Sequence, residues 1–294
     1  MIFALLESIR PRQWSKNFIL FAGVIFAQRL KDKEALATAF IAFALFCFLS
    51  GAVYLINDLL DAKSDRQHPL KRNRPIASGR LKPSIAVIFA VLLALIALTG
   101  AFFINPLFGA LAVAYFCLSV IYDFAFKHIV ILDVMSVAIG FVIRAAAGAE
   151  AINVLISPWL LLCTLLLALF LALTKRRHEI ILLENSAANH RPILAEYSPY
   201  LLDQMISIVT ASTLVCYSLY TFWPETITKF HTHNLGFTIP CVLFGIFRYL
   251  YLVHQKNKGG SPEKILSGDI PFAINILVWL IIVVAVLYGP GSLR

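Results

Sequence analysis

Charge is scarce in this sequence. Only 14% of its 294 residues are Asp, Glu, Lys or Arg, and the acids number 16. Soluble domains carry about a quarter charged residues. With a mean hydropathy of +0.82, the deficit excludes an ordinary water-soluble domain and makes hydrocarbon the main solvent. Cysteine is thin as well: Cys47, Cys117, Cys163, Cys216 and Cys241 fall in apolar runs with no paired spacing and read as small buried hydrophobes. The polar and apolar alternation of a membrane β-barrel is missing, because the long runs are apolar on every face, which leaves helices. The opening "MIFALLESIRPRQW" lacks the core length and cleavage site of a signal peptide. It reads as a short interfacial amphipathic segment, residues 1–16. Low-complexity tracts and a soluble domain are likewise absent.

What is present is a series of windows near the ~20 residues a spanning helix needs: 35–56, 84–104, 107–122, 131–149, 155–174, 205–223, 235–253 and 270–288. A ninth, 17–27, is short and needs help from its flanks. The expected fold is all-α, one polytopic membrane domain over residues 1–294, with nine transmembrane helices around a central cavity. Lys and Arg favour the cytoplasmic side of short loops. With the N-terminus inside, 18 basic residues fall on the inner face and 5 on the outer, while Arg144 and Arg248 lie within spans. The chain is therefore expected in the inner (cytoplasmic) membrane, with its polar loops, the longest from Lys175 to Gln204, in the cytoplasm. The net charge of +9 suits anionic lipid head groups and anionic substrates; no nucleic-acid partner is expected.

Acids and bases concentrate in two places. In "NDLLDAKSDRQHPLKRNRP", Asp58, Asp61 and Asp65 follow one another at three and four residues, so a helix continuing out of the membrane stacks them on one face beside Asn57. Three like charges on one stripe need a cation between them. Hard oxygen donors suit Mg²⁺, which takes one or two carboxylates and completes its shell with water and substrate phosphates. Lys71, Arg72 and Arg74 follow, and arginine suits bidentate phosphate contacts. A plain solvated helix end would explain these cations but not the aligned carboxylates. The second place is "YDFAFKHIVILD", with Tyr122, Asp123, Lys127 and Asp133 on the same expected face. Two such clusters, each heading an apolar bundle, look like two walls of one pyrophosphate site.

These motifs resemble the UbiA-type superfamily of intramembrane prenyltransferases. "RPRQWSKN", "HPLKRNRPIASG" and "ALTKRRHEIILLENSAANHRPILAEYS" are similar to its decaprenyl-phosphate phosphoribosyltransferase group, and the likeness runs from about Arg10 to about Asp203. The resemblance implies a nine-helix fold, with Mg²⁺ bridging carboxylates to a diphosphate on the cytoplasmic side. The first motif then falls on Asn57, Asp58, Asp61 and Asp65, which are the expected metal-binding residues. The second falls on Tyr122, Lys127 and Asp133; Asp123 has no assigned place in it. The implied reaction joins a polyprenyl phosphate to the anomeric carbon of phosphoribosyl pyrophosphate, releasing pyrophosphate, in the synthesis of a cell-envelope glycolipid precursor. Lys16, Lys71, Arg72, Arg74, Tyr122, Lys127, Lys175, Arg176 and Arg177 are the expected substrate contacts. Asp58, Asp61, Asp65 and Asp133 are the expected catalytic carboxylates, and Asp61, Asp65 and Asp133 are equal candidates for stabilising the ribosyl centre. A lipid phosphate is already ionised near neutral pH, so no general base is expected.

Two alternatives stay open. An aromatic prenyltransferase shares the acidic motifs but leaves the additional cations and "RPRQWSKN" without a role. A transporter predicts acids at mid-span, where this sequence has almost none. "TKRRHE" also reads as cytoplasmic anchoring, His68 as a solvated loop imidazole, and His231 with His233 as a pair lacking a third metal ligand. Arg144, eleven residues beyond Asp133, sits about 16 Å deeper along a helix at 1.5 Å per residue. There it either lines the cavity or pairs with a buried group.

Overall fold

The computed structural model describes residues 1–67, 71–182, 192–256, 260, 265 and 268–289, and among them finds helices and no strand. The helices are α1 (Ile2–Ser8), α2 (Ala22–Phe26), α3 (Lys33–Leu60), α4 (Ala62–Gln67), α5 (Pro83–Ile104), α6 (Pro106–Phe124), α7 (Leu132–Ala151), α8 (Pro158–Leu182), α9 (Pro199–Phe222), α10 (Pro224–Phe230), α11 (Ile239–Gln255) and α12 (Ile270–Tyr288). Eight helices among the described residues are long and apolar enough to cross a membrane, one for each long window in the sequence; that of α11 begins in a 3₁₀ turn at Asn234. Prolines mark several helix starts, in α5, α6, α9 and α12, where the missing N–H would have no intrahelical partner. Side chains cap others: Asp32 accepts from Glu34 and Ala35 at the head of α3, and Asn105 from Leu107 and Phe108 at the head of α6.

The short ninth window is not an α-helix along most of its length. Pro11–Phe21 is a 3₁₀ helix that runs into α2. Its 2.0 Å rise extends the segment, so that with α2 it reaches roughly 30 Å, the thickness of the hydrocarbon. Three residues per turn place Trp14, Asn17 and Leu20 in one line, and Asn17 and Leu20 are buried. Within the expected interfacial segment, α1 ends at Ser8, with Met1, Ile2, Phe3 and Leu6 exposed. The loop expected to open at Lys175 is shorter too, since α8 continues to Leu182 and α9 starts at Pro199. All five cysteines are free, but only Cys47 is buried and Cys117 is exposed.

The chain forms two compact units, Met1–Ile156 and Ser157–Arg294. In the first, α5 turns a row of alanines (Ala86, Ala90, Ala94, Ala97, Ala101) inward and leaves Ile88, Leu95 and Phe103 exposed. That pattern follows from the solvent: lipid tails are as apolar as leucine, so helices associate through small residues that permit close backbone approach. The same logic seats the 3₁₀ segment against α7. A Cβ on Gly148 would lie 2.1 Å from the Leu20 carbonyl oxygen, and one on Gly23 would lie 2.8 Å from the Gly148 oxygen. Phe46, Phe108 and Tyr115 pack at the centre with ring centroids 5.7 and 5.5 Å apart. In the second unit, Tyr249 packs between Phe170 and Phe272 with its ring tilted to both. Trp279 Nε1 donates to Tyr217 Oη at 2.9 Å, and Arg248 holds Asp269, the N-cap of α12, through both oxygens.

Candidate functional site

The 28 residues of α3 extend about 42 Å at 1.5 Å each, beyond the ~30 Å of hydrocarbon, so its last turns emerge into a polar environment. Asp61 is the C-cap, yet the helical register continues through it: the Asp61 N–H donates to Asn57 O at 2.9 Å and the Asp65 N–H to Asp61 O at 2.8 Å. Asp58 and Asp65, both 2% exposed, consequently share one cation. Arg74 Nη1 lies 3.1 Å from Asp58 Oδ1 and 2.6 Å from Asp65 Oδ2. Arg10 Nη2 meets the same Asp58 oxygen at 2.5 Å while its guanidinium covers the Tyr54 ring at 4.9 Å. Asp61 turns to a different partner, Lys127 Nζ at 2.8 Å.

Two packed elements deliver these cations. The stretch after Arg74 buries Ile76 and Leu81 with Ala4 of α1 and Leu55 of α3. Gly79 turns the chain there at φ 78°, a left-handed conformation that glycine adopts without strain. Arg80 binds Glu7 of α1 through both nitrogens at 2.8 and 3.0 Å, and this pair raises its pKa above the ordinary arginine value. The Arg10 backbone is itself left-handed, at φ 52°.

The wall opposite α3 is the end of α6. Asp123, 5% exposed, accepts a 2.7 Å hydrogen bond from Asn57 Nδ2 on one oxygen. Its Oδ2 is buried with no hydrogen-bond partner, which costs roughly 1–3 kcal/mol in an apolar setting. Asp61 and Lys127 stand within electrostatic range of it. Among the described residues no three His, Cys, Asp or Glu side chains close into a metal cage. Aspartate oxygens, an amide and one orphaned carboxylate oxygen do fit Mg²⁺, which needs few protein ligands and takes the rest from water and phosphate.

The structure therefore unites Asp58, Asp61 and Asp65 with Arg74 and Lys127, and Asn57 with Asp123. Asp133 is fully buried in the first turn of α7. Lys16, Lys71 and Tyr122 are half-buried and Arg72 is exposed. His68 lies outside the described residues. Lys175, Arg176 and Arg177 belong to the second unit, where acids hold them: Arg176 meets Glu179 at 2.6 Å, Lys175 the same carboxylate at 4.0 Å, and Arg177 Nε meets Asp203 at 2.5 Å. Asp203 also meets His254 at 3.2 Å and heads an apolar groove of about 600 Å³ between α9 and α11.

Sequence spacing leaves two members of the first-unit cluster without a partner, and Asp123 without an assigned place in its motif. Arg10 opens "RPRQWSKN", but nothing local ties it to Asp58. Asp123 lies beside Tyr122, and its link to Asn57 crosses 66 residues. The depth of Arg144 was legible and its partners were not: Nε donates to Asn17 Oδ1 at 2.9 Å, Nη2 to Tyr115 Oη at 2.6 Å and Nη1 to Gly140 O at 3.3 Å.

The chain matches the UbiA prenyltransferase family over residues 17–277. It is 34% identical over 294 residues to the decaprenyl-phosphate phosphoribosyltransferase of Corynebacterium glutamicum, covering 97% of this chain and 86% of that protein. It is 32% identical over 296 residues to the protein of the same name from Mycobacterium tuberculosis, covering 98% and 96%. The structure of a UbiA homologue from Archaeoglobus fulgidus, bound to DMAPP and Mg²⁺, superposes with a TM-score of 0.72 at 18% identity, over 97% of this chain and 99% of that one.

Proposed function

The chain belongs to the UbiA prenyltransferase family, and from that premise we propose that it transfers 5-phosphoribose from phosphoribosyl pyrophosphate to a polyprenyl phosphate of the decaprenyl type, with release of pyrophosphate. One observation carries this reading: relatives 32–34% identical over nearly the whole chain are decaprenyl-phosphate phosphoribosyltransferases. The geometry supports it, because Arg10 and Arg74 are gathered on buried carboxylates and Lys127 on the half-buried Asp61 at one end of an apolar bundle.

The chain's own residues divide the work. Arg10, Arg74 and Lys127, with Lys16, Lys71 and Arg72, neutralise the phosphates of the donor and the lipid, and the Tyr122 hydroxyl adds a neutral hydrogen-bond donor. Asn57, Asp58, Asp61 and Asp65 would hold Mg²⁺, which would offset the charge that develops on the leaving pyrophosphate. Preorganised cations aimed at that charge supply the electrostatic part of catalysis. The bond from the anomeric carbon to the pyrophosphate oxygen breaks, and a lipid phosphate oxygen forms the new one. That oxygen is already ionised, so no side chain removes a proton. A carboxylate among Asp61, Asp65 and Asp133 stabilises the oxocarbenium-like ribosyl centre.

The site faces the cytoplasm from the inner membrane, a reading supported by the crowding of Lys and Arg on one face. The 3₁₀ segment and α2 form the first of nine crossings, supported by their length. The lipid enters sideways between helices. The test is labelled phosphoribosyl pyrophosphate with purified protein, polyprenyl phosphate and Mg²⁺, followed by organic extraction. Metal-dependent label in the lipid phase is expected; its absence across several chain lengths, with prenyl transfer from a prenyl diphosphate to a phenolic acid instead, would reassign the donor.

A further inference from the structure

Among the described residues, Asp123 is the carboxylate of the first-unit cluster that has a buried oxygen with no hydrogen-bond partner. Asp58 receives Arg10 and Arg74, Asp65 receives Arg74, and Asp61 receives Lys127. Asp123 is as deeply buried, at 5% exposed. The Asn57 amide fixes one of its oxygens at 2.7 Å, and the other is buried with no hydrogen-bond partner. A carboxylate kept for structure alone would turn both oxygens to donors, because an unsatisfied buried acceptor is costly. One that is oriented by a neighbour and left open on its other side has the form of a ligand.

We infer that Asp123 supplies a further carboxylate to the divalent-cation site, facing Asn57 and Asp61, through the buried oxygen that no protein group satisfies. The inference rests on the phosphoribosyl-transfer reading and adds a residue that the spacing of the acidic motif leaves out. Asp123, Asp61 and the amide oxygen of Asn57 supply two carboxylates and one neutral oxygen on one side of the proposed Mg²⁺ site, whose other residues, Asp58 and Asp65, are engaged by Arg10 and Arg74 here. That leaves room for the waters and substrate phosphates Mg²⁺ retains. The same arrangement gives Lys127 a second role. It pairs with Asp61 at 2.8 Å, so a cation held by Asp61 and Asp123 releases its ammonium to a phosphate.

The test is metal binding by the full-length protein in detergent, read without turnover. Free Mn²⁺ is followed by its EPR signal in the presence of inorganic pyrophosphate, and thermal unfolding is followed with and without Mg²⁺. Asp123→Asn retains an oxygen to accept from Asn57 and removes only the charge. It is expected to melt no lower than the parent without metal, to bind Mn²⁺ at least about tenfold more weakly, and to lose the Mg²⁺-induced rise in Tm. Asp123→Ser serves as a second variant and is expected to behave alike.

A lowered metal-free Tm with unchanged Mn²⁺ affinity, or misfolding of both variants, makes Asp123 a structural residue and overturns the inference. If the variants bind Mn²⁺ like a parent that still transfers phosphoribose, this inference alone fails. If affinity falls as expected but labelled phosphoribose never enters lipid, the metal ligand stands and the choice of donor is what fails.

Discussion

Arg144 Nε donates to Asn17 Oδ1 at 2.9 Å across 127 residues of sequence, and the pair is buried within the membrane-spanning part of the first unit. Asn17 passes the network on to Cys47 Sγ at 3.3 Å and Ser50 Oγ at 3.2 Å, while the guanidinium covers the Tyr115 ring at 4.4 Å. The 3₁₀ segment is thereby tied to α3, α6 and α7 at once. Arg144→Met leaves the Asn17 carbonyl and the Tyr115 hydroxyl without their donor, and a loss of roughly 1–3 kcal/mol is expected. Thermal unfolding in detergent checks it. Equal stability of parent and variant would show that the network is dispensable.

Glycine at 148 is the second hold on that segment. The Cβ of Gly148→Ala would lie 2.1 Å from a backbone oxygen, which cannot rotate away as a side chain can. The 3₁₀ helix must shift, and a cost of about 1–3 kcal/mol is expected. Because Arg10 is the residue just before this helix, activity should fall together with stability. An unchanged melting temperature would refute the close approach.

Arg74 bridges Asp58 and Asp65 through a single nitrogen. Arg74→Ala is expected to reduce kcat on the order of 10²-fold, the usual effect of removing one preorganised donor to developing charge. Arg74→Lys retains the charge but not the planar fork and should recover only part of the rate. Full recovery by lysine would mean that charge alone is needed.

Chelation of divalent metal is expected to abolish transfer, and Mg²⁺ to restore it. Asp58→Asn and Asp61→Asn should each lower the rate by at least about tenfold, since each removes a charged oxygen from the proposed metal site. Full Mg²⁺-dependent activity in both variants would exclude the carboxylates from the reaction.

Asp32, ahead of α3, has its carboxyl held below the usual aspartate range, first by the hydrogen bond from the Ala35 N–H and then by Arg29. A folded-state value below the unfolded one means that this stabilisation is complete above the unfolded pKa of about 4 and fades as pH falls through the folded value. Asp32→Asn should therefore flatten the acid limb of the stability profile below pH 4 and leave its shape near pH 7 unchanged. An identical acid limb in both proteins would deny the cap its charge.

Much of this molecule was legible because the bilayer imposes a simple code. Eight apolar runs became eight helices, with ends shifted by as much as the eight residues by which α8 runs on to Leu182, since in hydrocarbon every backbone group must be satisfied inside its own segment. The Asp58, Asp61 and Asp65 spacing was legible for the same local reason, helical register, and it survives the cap at Asp61. Sequence could not assign the partners. Asp58 and Asp65 share Arg74 while Asp61 turns to Lys127, Arg10 arrives from the N-terminus, and Asn57 selects Asp123 across 66 residues. The extended geometry of Pro11–Phe21 was hidden as well, because its composition suits an α-helix and only the backbone contact with Gly148 reveals how it is seated. Hydropathy and helical period act along the chain, so the sequence determined the spans and the acidic stripe. Pairing acts across space between groups that local spacing cannot relate, so only the tertiary structure decided which charge meets which, and which buried oxygen is left without a donor.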